Sequence, residues 1–381
     1  MVESKKRVWA TINLRAFQEN LAKVSGLCPK SKIYPVIKSN AYGHGMEQIA
    51  AAALNSETNI AGFSVATIQE ATDLRSLELD LPILLLNGFI DEDELRLCIE
   101  LKLEPVIHSL YQLQFLKGFL SKQSLTGPVK FWVKMNTGMN RLGMTSAECQ
   151  KVFQDLRSYS NIELIFMTHL AYADDIESLK SGKFTAKQLG RFSKACKYIE
   201  SFYNGHLETS IAASAGVLTL PDTHKNYVRP GVMLYGSSPL AQKTGKNVGL
   251  QPVMSLFSRV ISINEVPAGE AIGYNATYVC DKDKRVGTVS IGYGDGYPRS
   301  AKNGTPVLIK TQSRVFKTQL IGRVSMDMIT IDLSEIDDAD INDEVLLWGA
   351  DLCPDEVAKH TDTIAYELFC KVTKRVPLTY I

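Results

Sequence analysis

In the stretch YPVIKSNAYGHG, residues 34–45, a lysine stands at the end of a predicted buried strand. The apolar run stops at Lys38, and a polar loop that contains glycine follows at once. A buried ammonium group costs roughly several kcal/mol unless it is paired, neutral or chemically used. Further polar side chains stand at the ends of later strands or in the adjoining loops: Lys134, Arg141, His169, Ser214 and, in the turn before the eighth predicted strand, Arg229. Each of these residues alone would be read as an ordinary surface or structural residue. The prediction of a site rests on their occurring together near the strand ends.

A lysine at one strand end and an anion site across the same barrel indicate a particular chemistry. Ser214, Gly231 and Val232 stand where a (βα)8 barrel often binds phosphate, in the loops around its seventh and eighth strands. Lysine amines form imines with carbonyl groups, and pyridoxal phosphate carries both an aldehyde and a phosphate. We therefore predict pyridoxal 5'-phosphate held by Lys38 as a Schiff base.

Eight short apolar runs alternate with helix-like segments over the first two thirds of the chain. The runs show no clean alternation of polar and apolar residues, as expected for strands that are covered on both faces. They lie at residues 32–38, 60–66, 81–87, 103–108, 129–135, 162–169, 206–211 and 232–236. This rhythm predicts an α/β fold, a TIM-like (βα)8 barrel, although a doubly wound open sheet would give a similar pattern.

The texture of the sequence changes near Gly249. Strand-like runs joined by Gly, Asn and Asp turns follow, and helical periodicity is scarce until residues 355–372. This pattern is typical of a mainly β domain. We place a cofactor-binding barrel at residues 8–245 and a C-terminal β domain at 246–381, and we expect residues 1–14 to pair with the second domain.

Composition argues against several classes of function. The 381 residues carry a formal net charge of +1 and are 45% apolar, which gives no sign of nucleic-acid or membrane binding. The seven scattered cysteines and the six histidines show no disulfide or metal-ligand spacing. Because of this spacing we expect no metal site. Because no secretory signal is recognisable at the start of the sequence, we expect a cytoplasmic protein.

Eight ordered blocks of sequence closely resemble the bacterial alanine racemases, a fold type III family of pyridoxal-phosphate enzymes. The blocks are VIKSNAYGHG, KMNTGMNRLG, MTHLAYAD, RPGVMLYG, GYNATY, IGYGDGYPR, GRVSMDM and TIAYELFC. The similarity runs from about Val8 to Tyr380. It implies an isomerase that interconverts L-alanine and D-alanine for peptidoglycan and the cell wall, and a homodimer whose active sites are shared between subunits.

The resemblance also implies roles for the central residues. Lys38 matches the lysine that carries the cofactor and acts as the base for D-alanine. Tyr274 matches the base for L-alanine, which arrives from the other subunit. Racemisation by two bases on opposite faces of a planar carbanion explains why both are needed. His169 would link Tyr274 to Arg229, and Arg229 would face the pyridine nitrogen without giving up its proton.

Further positions match family contacts around these groups. Cofactor contacts fall on Tyr42, Arg141, His169, Ser214, Arg229, Gly231, Val232 and Tyr366. Substrate contacts fall on Arg141, Met326, Asp327 and Tyr274. The entryway for substrate falls on Tyr293, Arg299 and Arg323. Lys134 matches a lysine that is carbamylated in many members, and Asn136 nearby departs from the aspartate that many of them have.

Three alternatives deserve comparison with this prediction. A serine racemase or one of broader specificity would differ mainly in pocket shape, which the sequence indicates weakly. A decarboxylase of the same fold type would place a carboxylate, not Arg229, at the pyridine nitrogen. A lone barrel that carries the cofactor without turnover would have no use for a second domain that supplies Tyr274.

Overall fold

The computed structural model describes residues 6–123, 125, 127–175, 178–203 and 205–381. Its first nine strands are β1 Val8–Ile12, β2 Lys32–Ile33, β3 Phe63–Val65, β4 Ile83–Leu85, β5 Leu103–Ile107, β6 Val129–Lys134, β7 Ile162–Met167, β8 Glu208–Ala213 and β9 Tyr227–Arg229. The later strands are β10 Met254–Val266, β11 Ala271–Ile272, β12 Tyr278–Val279, β13 Lys284–Val289, β14 Pro306–Lys310, β15 Val315–Gln319, β16 Ile329–Asp332, β17 Glu344–Trp348 and β18 Leu378–Tyr380.

The helices of the first domain lie between its strands, and most begin at a polar capping residue. They are α1 Leu14–Leu27, α2 Lys38–Tyr42 (a left-handed turn), α3 Met46–Leu54, α4 Ile68–Arg75, α5 Glu92–Glu100, α6 Leu110–Lys122, α7 Ser146–Leu156, α8 Leu179–Glu200 and α9 Ser214–Thr219. The second domain carries α10 Pro354–His360 and α11 Ala365–Lys371. Capping boxes at Thr67 and Thr145 start α4 and α7, because each hydroxyl accepts the amide of a glutamate three residues on.

The parallel strands of the first domain close into a barrel. Their order is β2-β9-β8-β7-β6-β5-β4-β3, and a parallel bridge between Val36 and Ser64 joins the two ends. The Ala61 amide also donates to the Ile33 carbonyl at 2.9 Å across this seam. The structure thus confirms the TIM-like barrel and excludes the open, doubly wound sheet.

The prediction of the eighth barrel strand at residues 232–236 is wrong. That segment forms a 3-10 turn, Val232–Tyr235, and the eighth strand is β9, which lies earlier in the chain. Periodicity alone cannot separate a short buried helix from a short buried strand. Pro230, which cannot donate a ladder hydrogen bond, stands directly after the true strand.

The second domain is mainly β and takes in the start of the chain. Its principal sheet has the order β15-β14-β17-β10-β1-β18, and β13 and β16 extend it from β10. Of residues 1–14, for which such pairing is predicted, Val8–Ile12 form β1 and pair with β10 and β18. Trp9 stacks on Phe257 across the first of these pairs, at 5.4 Å between ring centroids.

One end of the barrel interior is filled by aromatic side chains. Tyr34, Trp132 and Tyr227 are fully buried there and pack edge to face. The indole of Trp132 and the hydroxyl of Tyr34 both donate to the Glu104 carboxylate, at 2.8 and 3.1 Å. These groups occupy the amino-terminal end of the strands, which leaves the carboxyl-terminal end for a site. Among the described residues no helix is both long and apolar enough to cross a bilayer.

Candidate active site

Lys38 lies at the carboxyl-terminal end of the first barrel strand and opens the left-handed turn α2. Residues 39–42 have φ angles of 52° to 53°, a conformation that costs about 1–2 kcal/mol for each residue with a Cβ. Gly43 continues the turn at φ 77°, and a Cβ there would lie 2.3 Å from the carbonyl oxygen of Phe369. Four successive strained residues beside a lysine mark this segment as one that the surrounding structure must hold in place.

Four cations from the ends of three barrel strands surround His169. Pairing of β6 with β7 sets Lys134 opposite Met167, two residues before this histidine. Burial and, after it, the positive charges of Arg229, Lys134, Arg141 and Lys38 together lower the pKa of His169 to about 3. Burial and the charges of Arg229, Arg141 and Lys38 lower the pKa of Lys134 to about 8. His169 is therefore neutral at physiological pH within a strongly positive barrel mouth. We use "barrel mouth" for Lys38, Lys134, Arg141, His169 and Arg229.

Arg229, the last residue of β9, is buried and held in a fixed orientation. Its guanidinium donates to the Ser210 hydroxyl and, at 2.8 Å, to the carbonyl oxygen of Thr168. Burial lowers the pKa of Arg229 to about 10, so the group keeps its proton at neutral pH. A guanidinium in this position can donate hydrogen bonds but cannot act as a proton acceptor.

Ser214 and Gly231 form a small polar cradle between the last two strands. The Ser214 hydroxyl accepts the amide hydrogen of Gly231 at 2.9 Å and that of Met233 at 3.4 Å. A Cβ on Gly231 would lie 2.7 Å from the Tyr42 hydroxyl oxygen, so any other residue would displace that hydroxyl. Tyr366 of α11 faces the Tyr42 ring at 6.0 Å, which brings a second-domain side chain to the same cradle.

Arg141 lies on a loop that Asn136 organises. The Asn136 side-chain oxygen accepts the amides of Gly138 and Asn140 at 3.0 and 3.1 Å, and its nitrogen donates to the Asn140 side chain at 2.9 Å. These contacts use the amide oxygen in the way that a carboxylate oxygen would be used. The departure from aspartate at Asn136 therefore leaves the loop's internal hydrogen bonding intact.

The remaining predicted residues lie together on loops of the second domain, and several of their side chains are exposed. We call residues 273–277, 292–299 and 322–328 the loop face. Tyr274 is 67% exposed and Met326 is 53% exposed, so neither side chain is covered by the barrel mouth of its own chain. The Gly294 amide donates to the Met326 carbonyl at 2.8 Å, which fastens two of the loops together.

The rest of the predicted set lies on the same loop face. The set comprises Tyr293, which is exposed, Arg299, Arg323 and Asp327. Arg375 donates to Asp327 at 2.7 Å and contacts the buried carboxylate of Asp295 at 3.2 Å. This arginine therefore holds the loop of Asp327 against the loop of Tyr293.

Comparison with known families follows the division between barrel and β domain. The family model "Alanine racemase, N-terminal domain" matches residues 12–239, and "Alanine racemase, C-terminal domain" matches residues 253–380. The chain belongs to the alanine racemase family. Membership spans both domains, so the barrel mouth and the loop face both lie within the matched segments.

Curated and solved relatives agree with the alanine racemase assignment over the full length. The chain is 40% identical to the alanine racemase of Vibrio vulnificus strain CMCP6 over 380 residues, which covers 98% of this chain and 99% of that protein. The biosynthetic alanine racemase of Pseudomonas aeruginosa superposes with a TM-score of 0.90 at 39% identity, covering 99% and 100% of the two chains. The alanine racemase of Bartonella henselae, solved with covalently bound pyridoxal phosphate, gives a TM-score of 0.85 at 27% identity, covering 99% and 100%.

Several residues that support this alanine racemase site were not singled out from sequence. Ser210 orients Arg229, and Arg375 joins two carboxylates of the loop face. Glu70 accepts the Ser39 amide at 2.7 Å, next to Lys38. The pattern of Thr67 followed three residues later by Glu70 is readable as a helix cap, but nothing in it shows the contact with the turn. Such contacts depend on tertiary structure.

Proposed function

We propose that this chain is an alanine racemase that interconverts L-alanine and D-alanine with pyridoxal 5'-phosphate. The observation that carries the proposal is the barrel mouth, where Lys38, Lys134, Arg141 and Arg229 surround the neutral His169. Every charge that shifts the pKa of His169 is positive, which suits a cofactor with a phosphate and a substrate with a carboxylate. Membership of the alanine racemase family across both domains supports the same reaction.

The residues present fit the cofactor. Ser214, Gly231, Val232, Tyr42 and Tyr366 would hold its phosphate through hydroxyls and backbone amides of the cradle. Lys38 would form the covalent link. Arg141 would lie toward its phenolic oxygen and the substrate carboxylate, and Arg229 toward its ring nitrogen. When bound, the cofactor delocalises the electron pair left on the α-carbon after a proton has gone.

Two bases of this protein would move the α-proton. The Lys38 amine would exchange it with D-alanine, and the Tyr274 hydroxyl with L-alanine from the opposite face. A phenol must lose its own proton before it can act as a base, so Tyr274 needs a partner that stabilises its deprotonated form. His169, kept neutral by burial and by the surrounding cations, would accept a hydrogen bond from Arg229 on one ring nitrogen and donate one from the other to the Tyr274 oxygen.

Arg229 would set the type of reaction. Its guanidinium, clamped by Ser210 and the Thr168 carbonyl, keeps its own proton and so leaves a neighbouring ring nitrogen unprotonated. With the cofactor bound, electron density would stay nearer the α-carbon of the substrate, where a proton could return. Arg229 would in this way favour racemisation over transamination.

Two copies of the chain would complete each site. The exposure of Tyr274 and Met326 supports this proposal, because both side chains lie open on the loop face of a single chain. In a homodimer the partner subunit's Tyr274 would face Lys38. Met326, through its backbone amide, and Asp327 would lie toward the substrate, and Tyr293, Arg299 and Arg323 would line the entryway.

Lys134 would be carbamylated. Its lowered pKa, about 8, leaves part of the amine neutral at physiological pH, and the neutral amine is the form that bonds to the carbon of CO2 and releases a proton. The resulting anion would pair with Arg141 and relieve the repulsion among the cations of the barrel mouth. A carbamate signal in the carbon NMR spectrum after incubation with labelled bicarbonate, lost in Lys134→Arg, would test this.

We also propose the division into a barrel, 8–245, and a β domain, 246–381, and a cytoplasmic role in supplying D-alanine for peptidoglycan. A chiral assay tests the function: purified protein with added pyridoxal phosphate is incubated with L-alanine, L-serine and a panel of other L-amino acids. We expect D-alanine to form fastest by a wide margin. Bound cofactor without D-alanine would overturn the proposal, and comparable rates for several amino acids would replace it with a racemase of broader specificity.

A further inference from the structure

We propose that Glu70 is a positioning residue that holds the left-handed turn of Lys38 in its cofactor-binding conformation. The inference rests on the proposed role of Lys38. Glu70 lies on α4, in the unit that follows the next barrel strand, and it reaches back across the seam of the barrel. One carboxylate oxygen accepts the Ser39 amide at 2.7 Å, and the other accepts the amides of Ala66 and Thr67 at 2.8 and 3.2 Å.

The turn has a specific need for such a contact. Residues 39–42 are all left-handed, although none of them is glycine, so the isolated segment would prefer another conformation. Inside the turn, the Ala41 amide donates to the Ile37 carbonyl at 2.8 Å and the Gly43 amide to the Ser39 carbonyl at 2.9 Å. The Ser39 amide points outward to Glu70, and this is the backbone donor directly after Lys38.

The geometry separates this role from ordinary helix capping. A capping box needs only the contact between the Glu70 carboxylate and the Thr67 amide. The second oxygen is left over for a different segment of chain. Glu148 caps α7 in the same way, but its carboxylate accepts the Thr145 amide and hydroxyl, both at 2.8 Å, within its own box. Glu148 is therefore a matched control for the loss of a capping glutamate.

The test compares Glu70→Ala with Glu148→Ala and Thr67→Val. In the protein stripped of cofactor, hydrogen exchange of the peptide that contains Ser39 is followed by mass spectrometry, and pyridoxal phosphate is then titrated by absorbance. We expect Glu70→Ala to speed exchange at Ser39 and to raise the dissociation constant of the cofactor about tenfold to a hundredfold. The two controls should leave both quantities near wild type, and Glu70→Gln, which keeps one acceptor oxygen, should fall between.

Two outcomes would overturn the proposal. Exchange and cofactor affinity in Glu70→Ala could equal those of Glu148→Ala, which would leave no special role for Glu70. Thr67→Val could reproduce the whole effect, which would reduce Glu70 to a helix cap. Failure of the proposed function has a separate signature: borohydride reduction of the holoenzyme followed by peptide mapping would place the cofactor on a lysine other than Lys38, whatever the exchange at Ser39.

Discussion

The barrel mouth and the loop face differ in how complete each is within one chain. In the barrel mouth, side chains from distant parts of the sequence meet, and Lys134 and Arg229 are buried among other cations. On the loop face, residues 273–277 are all exposed, and Asn275 and Ala276 have φ angles of 64° and 47°. The barrel mouth is enclosed by residues of the same chain, whereas residues 273–277 of the loop face present their side chains to solvent.

This difference indicates how the two bases of a racemase could be placed on different subunits. A base that carries the cofactor needs a rigid, enclosed setting, which one barrel can build. A base for the opposite face must approach from outside the strand ends, and in the proposed homodimer a second copy of the chain would supply such an approach. The exposure of Tyr274 would then be a property of the isolated chain and not of the dimer.

The largest expected effect comes from removing the amine of the barrel mouth. Lys38→Ala should abolish the covalent link to the cofactor and lower turnover by about 10⁴-fold or more, since a base and a nucleophile are lost together. The measurements are racemisation rate and the visible absorbance of bound cofactor. Lys32→Ala is the control, because Lys32 lies on the same strand at the opposite end of the barrel and pairs with Glu208 at 3.0 Å. Equal loss in both variants would point to general damage.

The next effect separates the two regions. Tyr274→Phe should slow conversion of L-alanine to D-alanine by about 10²–10⁴-fold, the usual contribution of a general base, while the cofactor stays bound. The initial rate in each direction and the cofactor absorbance are measured together. Tyr278→Phe, a change on the neighbouring strand β12, serves as the control. An unchanged L-to-D rate in Tyr274→Phe would remove the assignment of this residue as a base.

A mixing experiment asks whether the two regions meet between subunits. The variants Lys38→Ala and Tyr274→Phe should each be nearly inactive alone, but a mixed dimer would hold one site with both native residues. Random reassortment after mild dissociation should recover about a quarter of wild-type activity, because half of the dimers are mixed and each has one intact site. No recovery, despite mixed dimers detected by native mass spectrometry, would place both residues of a site on one chain.

The sequence predicted the structure best where a local pattern of apolar and helical segments is typical of one arrangement of strands. Short apolar runs separated by helical segments predict a parallel barrel, and Lys134 lies at the end of its strand as predicted. Arg229, predicted in the turn before the eighth strand, instead ends that strand, β9. The same reasoning failed at residues 232–236, because a buried run of that length suits a helix as well as a strand. The left-handed turn was also out of reach, since Ser39, Ala41 and Tyr42 have no glycine-like signature and Asn40 alone predicts at most one left-handed residue.

Contacts that orient the site residues were the least predictable part. Arg375 and Ser210 act on residues far away in the sequence, and neither stands in a motif that points to its partner. Roles on the loop face came from family resemblance alone, because an exposed tyrosine has no feature in a single sequence that separates a base from a surface residue.

The smallest expected effect is a pH dependence of the unfolding free energy that arises in the first domain, at His44. His44 is fully buried behind the left-handed turn, where its ring donates to the carbonyls of Ala41 and Tyr42 at 3.1 and 2.8 Å and packs on Tyr235. Burial lowers the pKa of His44 to about 4, against roughly 6.5 in an unfolded chain. The unfolded chain therefore binds the extra proton first as the pH falls.

Stability from neutral His44 is accordingly complete above about pH 6.5 and is lost on acidification toward pH 4, by up to about 1.4 kcal/mol per pH unit. Urea unfolding of wild type and His44→Gln between these limits measures it, and we expect the difference in unfolding free energy to narrow as the pH falls. His360→Gln, which changes an exposed histidine at the end of α10, is the control from the second domain. A difference in unfolding free energy between wild type and His44→Gln that stays constant over this pH range would mean that the ring is already charged in the folded protein. The region behind the left-handed turn would then not be enclosed in the way that the barrel mouth is.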